Sequence, residues 1–116
     1  MHELSIAHGL VEAASEAARE AGAVKVNEVR VRVGLLSGVA APALQFCYGI
    51  AAAGTPLEGS KLLIRELPVV IYCPRCEREV ELPSVQLFRC PVCGTPSAAI
   101  RQGREMEIES LEIEVP

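Results

Sequence analysis

The chain has no tryptophan, and only 3% of its 116 residues are aromatic. A core anchored by large rings is therefore excluded, and the interior must be built from Ala, Val, Leu and Ile. No run of about 18 apolar residues occurs, which argues against a membrane-spanning helix. No basic stretch leads into an apolar one with a cleavage site, so no secretory signal is expected. Basic residues are also in deficit. Eleven Lys and Arg face fifteen Asp and Glu, for a net charge of −4. That balance weighs against a dedicated nucleic-acid binder, which carries a basic stripe. Histidine is scarce too. Only His2 and His8 are available, and no Cys–His–acid arrangement is readable, so an enzyme is not expected. The default compartment is the cytoplasm, where disulfides are rare. The five cysteines then read as thiols or metal ligands.

What is present falls into periodic segments. Residues 4–21 place Leu4, Ala7, Val11, Ala14 and Ala18 on one stripe at helical spacing, and Gly22 follows as a C-cap. Glu12, Glu16 and Glu20 fall on the opposite, solvated face. KVNEVRVRV at 25–33 switches to a period of two, with Val29, Val31 and Val33 facing one way and Arg30 and Arg32 the other. Pro42 suits a first helical position, and ALQFCYGIAAA runs on as a second, more buried helix. Cys47 sits in its apolar pattern as a core thiol. SKLLIREL reads as a second strand.

The composition changes at Pro68. From there to Gly103 lie four of the five cysteines and five of the eight prolines. Beyond it, Met106 and Ile108 alternate with glutamates. Ser110 shifts the phase by one, and Leu111, Ile113 and Val115 continue. This is the pattern of a long strand with a bulge. Arginines on the first strand's polar face and glutamates on the last strand's suit cross-strand pairing. The terminal strand is therefore expected to return to the first sheet. The expected division is 1–68 plus 103–116 as one domain and 69–102 as an insertion.

Cys73-Pro-Arg-Cys76, thirteen residues, then Cys90-Pro-Val-Cys93-Gly94 is a strong metal signal. Two intervening residues let the chain turn so that both thiolates of a pair reach one ion. Four thiolates fill a tetrahedral Zn(II) site and leave no open position, so the ion is structural. The stretch between the pairs is long enough for a short hairpin, giving a zinc-ribbon-like lobe. Arg75, Arg78 and Arg89 keep open the alternative of a nucleic-acid- or protein-binding ribbon module.

The opening Met1-His2-Glu3 has two readings. One is a helix lead-in, with Glu3 favourable near a helix N-terminus. The other is a ligand set: the His2 imidazole, the Met1 amine and the backbone amides of His2 and Glu3. Square-planar nitrogen coordination suits Ni(II) or Cu(II). The large side chain at position 2 is expected to hinder removal of Met1.

MHELSIA, VRVRVGLLSGV, LQFCYGIAAAGTPLEGSKLLI, the CPRC and CPVCG pairs and MEIESLEIE, in that order, resemble the HypA/HybF family of hydrogenase nickel-incorporation proteins. The resemblance implies an α+β fold of two helices on a three-stranded sheet, carrying an inserted four-cysteine zinc domain. It implies a nickel metallochaperone with Met1, His2 and Glu3 at the nickel site, His2 giving the side-chain ligand. Cys73, Cys76, Cys90 and Cys93 would hold zinc. The implied partners are the GTPase HypB and the large-subunit precursor of nickel–iron hydrogenase, with urease maturation in some members. His8 matches no ligand of the family and reads as a surface histidine. The oligomeric state, monomer or dimer, is left open.

Overall fold

The computed structural model describes residues 2–85 and 87–116, the side chain of His2 excepted. Helix α1 spans His2–Glu20. Its buried face is Ala7, Leu10, Val11, Ala14 and Ala18, the expected stripe with Leu10 added and Leu4 only half-buried. Small side chains on that face let neighbouring backbone approach closely. The helix ends in a Schellman motif, in which Ala23 N–H donates to Ala18 C=O (2.9 Å) and Gly22 N–H to Arg19 C=O (3.0 Å). Gly22 takes the left-handed conformation this needs, with φ 72°.

Strand β1 covers Lys25–Gly34. Val29, Val31 and Val33 are fully buried, and Val26 is buried out of that alternation. Helix α2, Ala41–Ala52, has Pro42 in its first turn, where a missing N–H costs nothing. It packs against α1. Leu44, Cys47, Tyr48, Ala51 and Ala52 face the core. In proportion α2 is the more buried helix, as expected, but on its other side Phe46 and Ile50 point to solvent. Gln45 donates to the Leu62 carbonyl (2.6 Å), and the Tyr48 hydroxyl meets Ser60 Oγ at 2.6 Å.

Strand β2, Lys61–Leu67, follows. The last strand of the chain, Met106–Glu114 (β6), returns to β1, giving the order β2-β1-β6. Val24 N–H donates to Glu114 C=O and Gly34 N–H to Glu105 C=O, so β1 and β6 run antiparallel. The expected charge pairing is present: Arg32 bonds Glu107, and Arg65 of β2 reaches Glu109 at 2.9 Å. Arg30 instead pairs with Glu28 of its own strand. Along β6 the alternation of half-buried and exposed residues slips at Glu109–Ser110, where the sequence shifts phase.

Between β2 and β6 lie β3 (Val70–Cys73), β4 (Arg78–Glu81) and β5 (Ile100–Gln102), an antiparallel sheet in the order β4-β3-β5. The chain forms two compact units: 1–32, 39–65 and 107–116, and 33–38 with 66–106. The second has its own core of Val69, Ile71, Cys73, Val80, Leu82 and Cys90.

Candidate metal centre

The hairpin of the second unit is not the one expected between the cysteine pairs. β3 precedes the first pair and β4 follows it, so residues 74–77 are the turn. The reason is local. Cys73 pairs with Arg78 across the hairpin, and the Cys76 N–H donates to Cys73 Sγ at 3.3 Å. The first Cys-x-x-Cys is thus itself a reverse turn, closed by an amide-to-sulfur bond. The second pair forms a similar turn. Cys90 N–H donates to Thr95 C=O (2.9 Å), Gly94 N–H to Cys90 C=O (2.8 Å), and Arg89 and Pro96 bridge. Each turn places its next residue in the left-handed region: Gly94 at φ 77° and, at the matching place, Glu77 at φ 54°. Glycine takes that conformation freely, whereas a residue with a Cβ is strained by about 1–2 kcal/mol.

The two turns bring four sulfurs together. Cys73 and Cys93 Sγ lie 3.5 Å apart and Cys76 and Cys90 Sγ 3.9 Å. All four lie within 4.8 Å of one another. A disulfide needs about 2.05 Å, so these are free thiols. Four sulfurs at about 2.3 Å from a tetrahedral zinc would stand about 3.8 Å apart. The donor set therefore fits Zn(II). Cys73 and Cys90 are buried; Cys76 and Cys93 are half-buried.

The thiols are unequal. The Thr95 hydroxyl, 3.2 Å from Cys93 Sγ, and then the Thr95 backbone N–H lower the pKa of Cys93 to about 6. The Cys93 backbone N–H lowers that of Cys90. Cys76, through its contact with Cys93 and then burial, is pushed up to about 12. Like charges this close do not all ionise without a cation between them. A dication removes that obstacle.

The other expected site lies at the start of α1. Met1 and the His2 side chain lie outside the described residues. Glu3 is described, and its carboxylate accepts the backbone N–H of Ala40 at 3.1 Å. Ala40 is the N-cap residue of α2, which has no side-chain cap of its own. The first four amides of a helix have no intrahelical acceptor. Because α1 begins at His2, the amides of residues 2 and 3 belong to that set. His8 is exposed on the helix surface, and Cys47 is buried in α2. Sequence reasoning did not find Ala40, Glu77 or Thr95. Only Thr95, two residues after Cys93, carried a polar atom that proximity marks.

The basic residues of the ribbon do not form a stripe. Glu77, Glu79 and Glu81 interleave with Arg75 and Arg78. Arg89 donates to the Gly94 carbonyl, and Arg101 stacks 5.1 Å from the Tyr72 ring centre. A cavity of about 240 Å³ near the end of α1, lined by Ala18, Val24, Val26 and Pro56 among others, is smaller than a typical substrate pocket.

A helical pair on a three-stranded sheet, interrupted by a four-thiol knuckle unit, defines a small metal-handling protein. The comparisons narrow the class. The family described as hydrogenase/urease nickel incorporation, metallochaperone, HypA matches residues 1–113. Hydrogenase maturation factor HypA of Chloroflexus aggregans is 54% identical over 112 residues, 97% of this chain and 98% of that one. The factor of the same name from a Roseiflexus species is 52% identical over 114 residues, 98% and 93%. The solution structure of the Ni metallochaperone HypA from Helicobacter pylori superposes over the full length of both chains with a TM-score of 0.70. At 24% identity that likeness is one of fold. This chain belongs to the HypA family of nickel metallochaperones of hydrogenase maturation. That role is a maturation factor's, not a catalyst's.

Proposed function

We propose that this protein carries Ni(II) at its N-terminus, coordinated by the Met1 amine, the His2 imidazole and the backbone amides of His2 and Glu3. It delivers the ion in the cytoplasm to the large-subunit precursor of nickel–iron hydrogenase, working with the GTPase HypB, and in some settings serves urease. The observation that carries this reading is the start of α1 at His2. Amides of a first helical turn can lose their protons to a metal without breaking a helix hydrogen bond. A terminal site also suits release, because terminal backbone moves easily. Zn(II) held by Cys73, Cys76, Cys90 and Cys93 is structural, since four thiolates close the coordination sphere. Residues 69–102 form the zinc-binding domain, and 1–68 with 103–116 the nickel-binding one. Neither nucleic acid nor membrane has a part.

Calorimetry of nickel binding tests the reading on three proteins: the native chain, His2→Ala, and a chain extended by a few residues before Met1. Both changes remove a ligand, and each is expected to weaken binding at least tenfold. Unchanged affinity in both would sink the terminal-ligand arrangement. Nickel must also displace protons from the imidazole and the amine, whose ordinary pKa values are about 6.5 and 7.7–8.0. Affinity is therefore expected to fall as pH drops below neutrality.

A further inference from the structure

We propose that Glu3 is a positioning residue for the nickel site, and that it acts through the backbone N–H of Ala40. This role rests on the N-terminal coordination of Ni(II) and adds the device that holds the site in place.

An acid in the first turn of a helix ordinarily serves that helix's own amides. The Glu3 carboxylate reaches across to another helix. It accepts the Ala40 N–H at 3.1 Å, over a separation of 37 residues. The anchor point is itself held on both sides. Ala40 is the N-cap residue of α2, in extended conformation with φ −87° and ψ 116°. Its carbonyl accepts the Leu44 N–H at 2.9 Å, which closes the first turn of α2. Its N–H is taken by Glu3, and α2 is packed on α1. The bond thus ties the start of one helix to the start of its neighbour.

The ligand nitrogens are the Met1 amine, the His2 amide and imidazole, and the Glu3 amide. All of them precede the Glu3 Cα. A tie on the Glu3 side chain therefore holds the last ligand nitrogen, one bond from that Cα, and constrains neither residue before it. Terminal residues are poorly ordered unless tied down. Ordering the backbone of one residue costs about tenfold in an equilibrium constant. A chain end tied at residue 3 meets that cost on folding, before the ion arrives. Such preorganisation raises affinity without adding a contact to the ion. The tie needs an acceptor rather than a charge, and an amide oxygen can take the place of the carboxylate. A carboxylate that attracted the dication, or coordinated it, would depend on its charge.

Calorimetry of Ni(II) binding to the full zinc-loaded chain with a free N-terminus tests this. Ala40→Pro removes the donor from the far side of the bond, at a φ close to the one a proline ring fixes. Glu3→Ala and Ala40→Pro are each expected to weaken binding about five- to tenfold. Glu3→Gln keeps an acceptor and is expected to lose less than about threefold. Glu3→Ala combined with Ala40→Pro is expected to lose no more than either alone, because both break one bond. The visible absorption bands of the bound nickel should match the native ones in all four, since no ligand changes. A cap with only a structural role would lower the melting temperature and leave nickel affinity alone. Circular dichroism and zinc content check that each variant is folded, and Glu3→Ala decides the matter if Ala40→Pro is not. Native affinity in Glu3→Ala overturns the proposal. So does a Glu3→Gln loss equal to that of Glu3→Ala, a pair of losses that multiply in the double variant, or altered absorption bands. His2→Ala separates this role from the coordination itself. Unchanged affinity there removes the site and the role of Glu3 with it. Weakened binding there, beside native affinity in Glu3→Ala, removes the role of Glu3 alone.

Discussion

Replacing one hydrogen by a methyl group at three glycines is expected to have three different effects. The decisive position is Gly34. A Cβ built there would stand 2.0 Å from the Gly103 carbonyl oxygen and 2.1 Å from its carbon. A carbon and an oxygen in contact need about 3.3 Å, so the two segments must part by roughly 1.3 Å. Two backbone hydrogen bonds cross this gap: Gly34 N–H to Glu105 C=O at 2.8 Å and Leu36 N–H to Gly103 C=O at 2.6 Å. Both would stretch beyond bonding distance. Both glycines are buried, so each orphaned group costs about 1–3 kcal/mol. The stiffer unfolded chain returns about 0.4–1 kcal/mol. Gly34→Ala should therefore lose about 3 kcal/mol, a fall in Tm on the order of 12 °C. Gly38 has open space but φ 81°, so Gly38→Ala should lose only about 1–2 kcal/mol. Gly9 lies inside α1 with open space and ordinary φ, so Gly9→Ala should gain about 0.5–1 kcal/mol. Thermal denaturation of the zinc-loaded proteins by circular dichroism reads all three. A Gly34→Ala protein no less stable than Gly38→Ala would refute the close-approach argument.

Glu77→Gly relieves the left-handed strain in the first knuckle and is expected to raise stability by about 0.5–1 kcal/mol, measured by urea titration. Cys73→Ala should abolish zinc retention and unfold the second unit, since zinc contributes about 10–16 kcal/mol to domains of this kind; nickel affinity should persist if the two centres are independent, and metal analysis with calorimetry checks both. Thr95→Val removes the hydroxyl that holds Cys93 low. The Cys93 thiolate is favoured above its pKa of about 6 and lost as pH falls through it, so the variant should release zinc at a higher pH in an acid titration with a chromogenic chelator. Glu3→Ala orphans the Ala40 N–H and should cost about 1 kcal/mol in thermal melts, while Glu3→Gln, which keeps an acceptor, should cost less.

Local periodicity and charge carried much of this fold into view. The helical stripe from Ala7 to Ala18 and the phase slip at Ser110 are both visible in the letters, and opposite charges on the first and last strands foretold the Arg32–Glu107 pair. The four-thiol cluster was legible because two residues between cysteines leave the chain few ways to turn. Other features were hidden for physical reasons. Arg30 found Glu28 because two residues along a strand share a face, and the nearer acid won. The hairpin was misplaced because the metal knuckle is also the turn, so β3 lies before the segment between the pairs and only β4 lies within it. The outward face of α2 was invisible because its residues are as apolar as the inward ones, and only packing tells them apart. The Gly34–Gly103 approach joins segments far apart in the chain, beyond any local pattern.

The position of β6 governs the order in which the protein comes into being. β1 is the central strand of its sheet and needs a neighbour on each side. One neighbour, β2, emerges from the ribosome soon after it. The other, β6, is made only after both cysteine pairs. Translation thus completes the four-cysteine unit first. The sheet of the first unit closes only when β6 arrives. A chain cut short before Met106 would keep every expected metal ligand yet lack the strand that finishes that sheet.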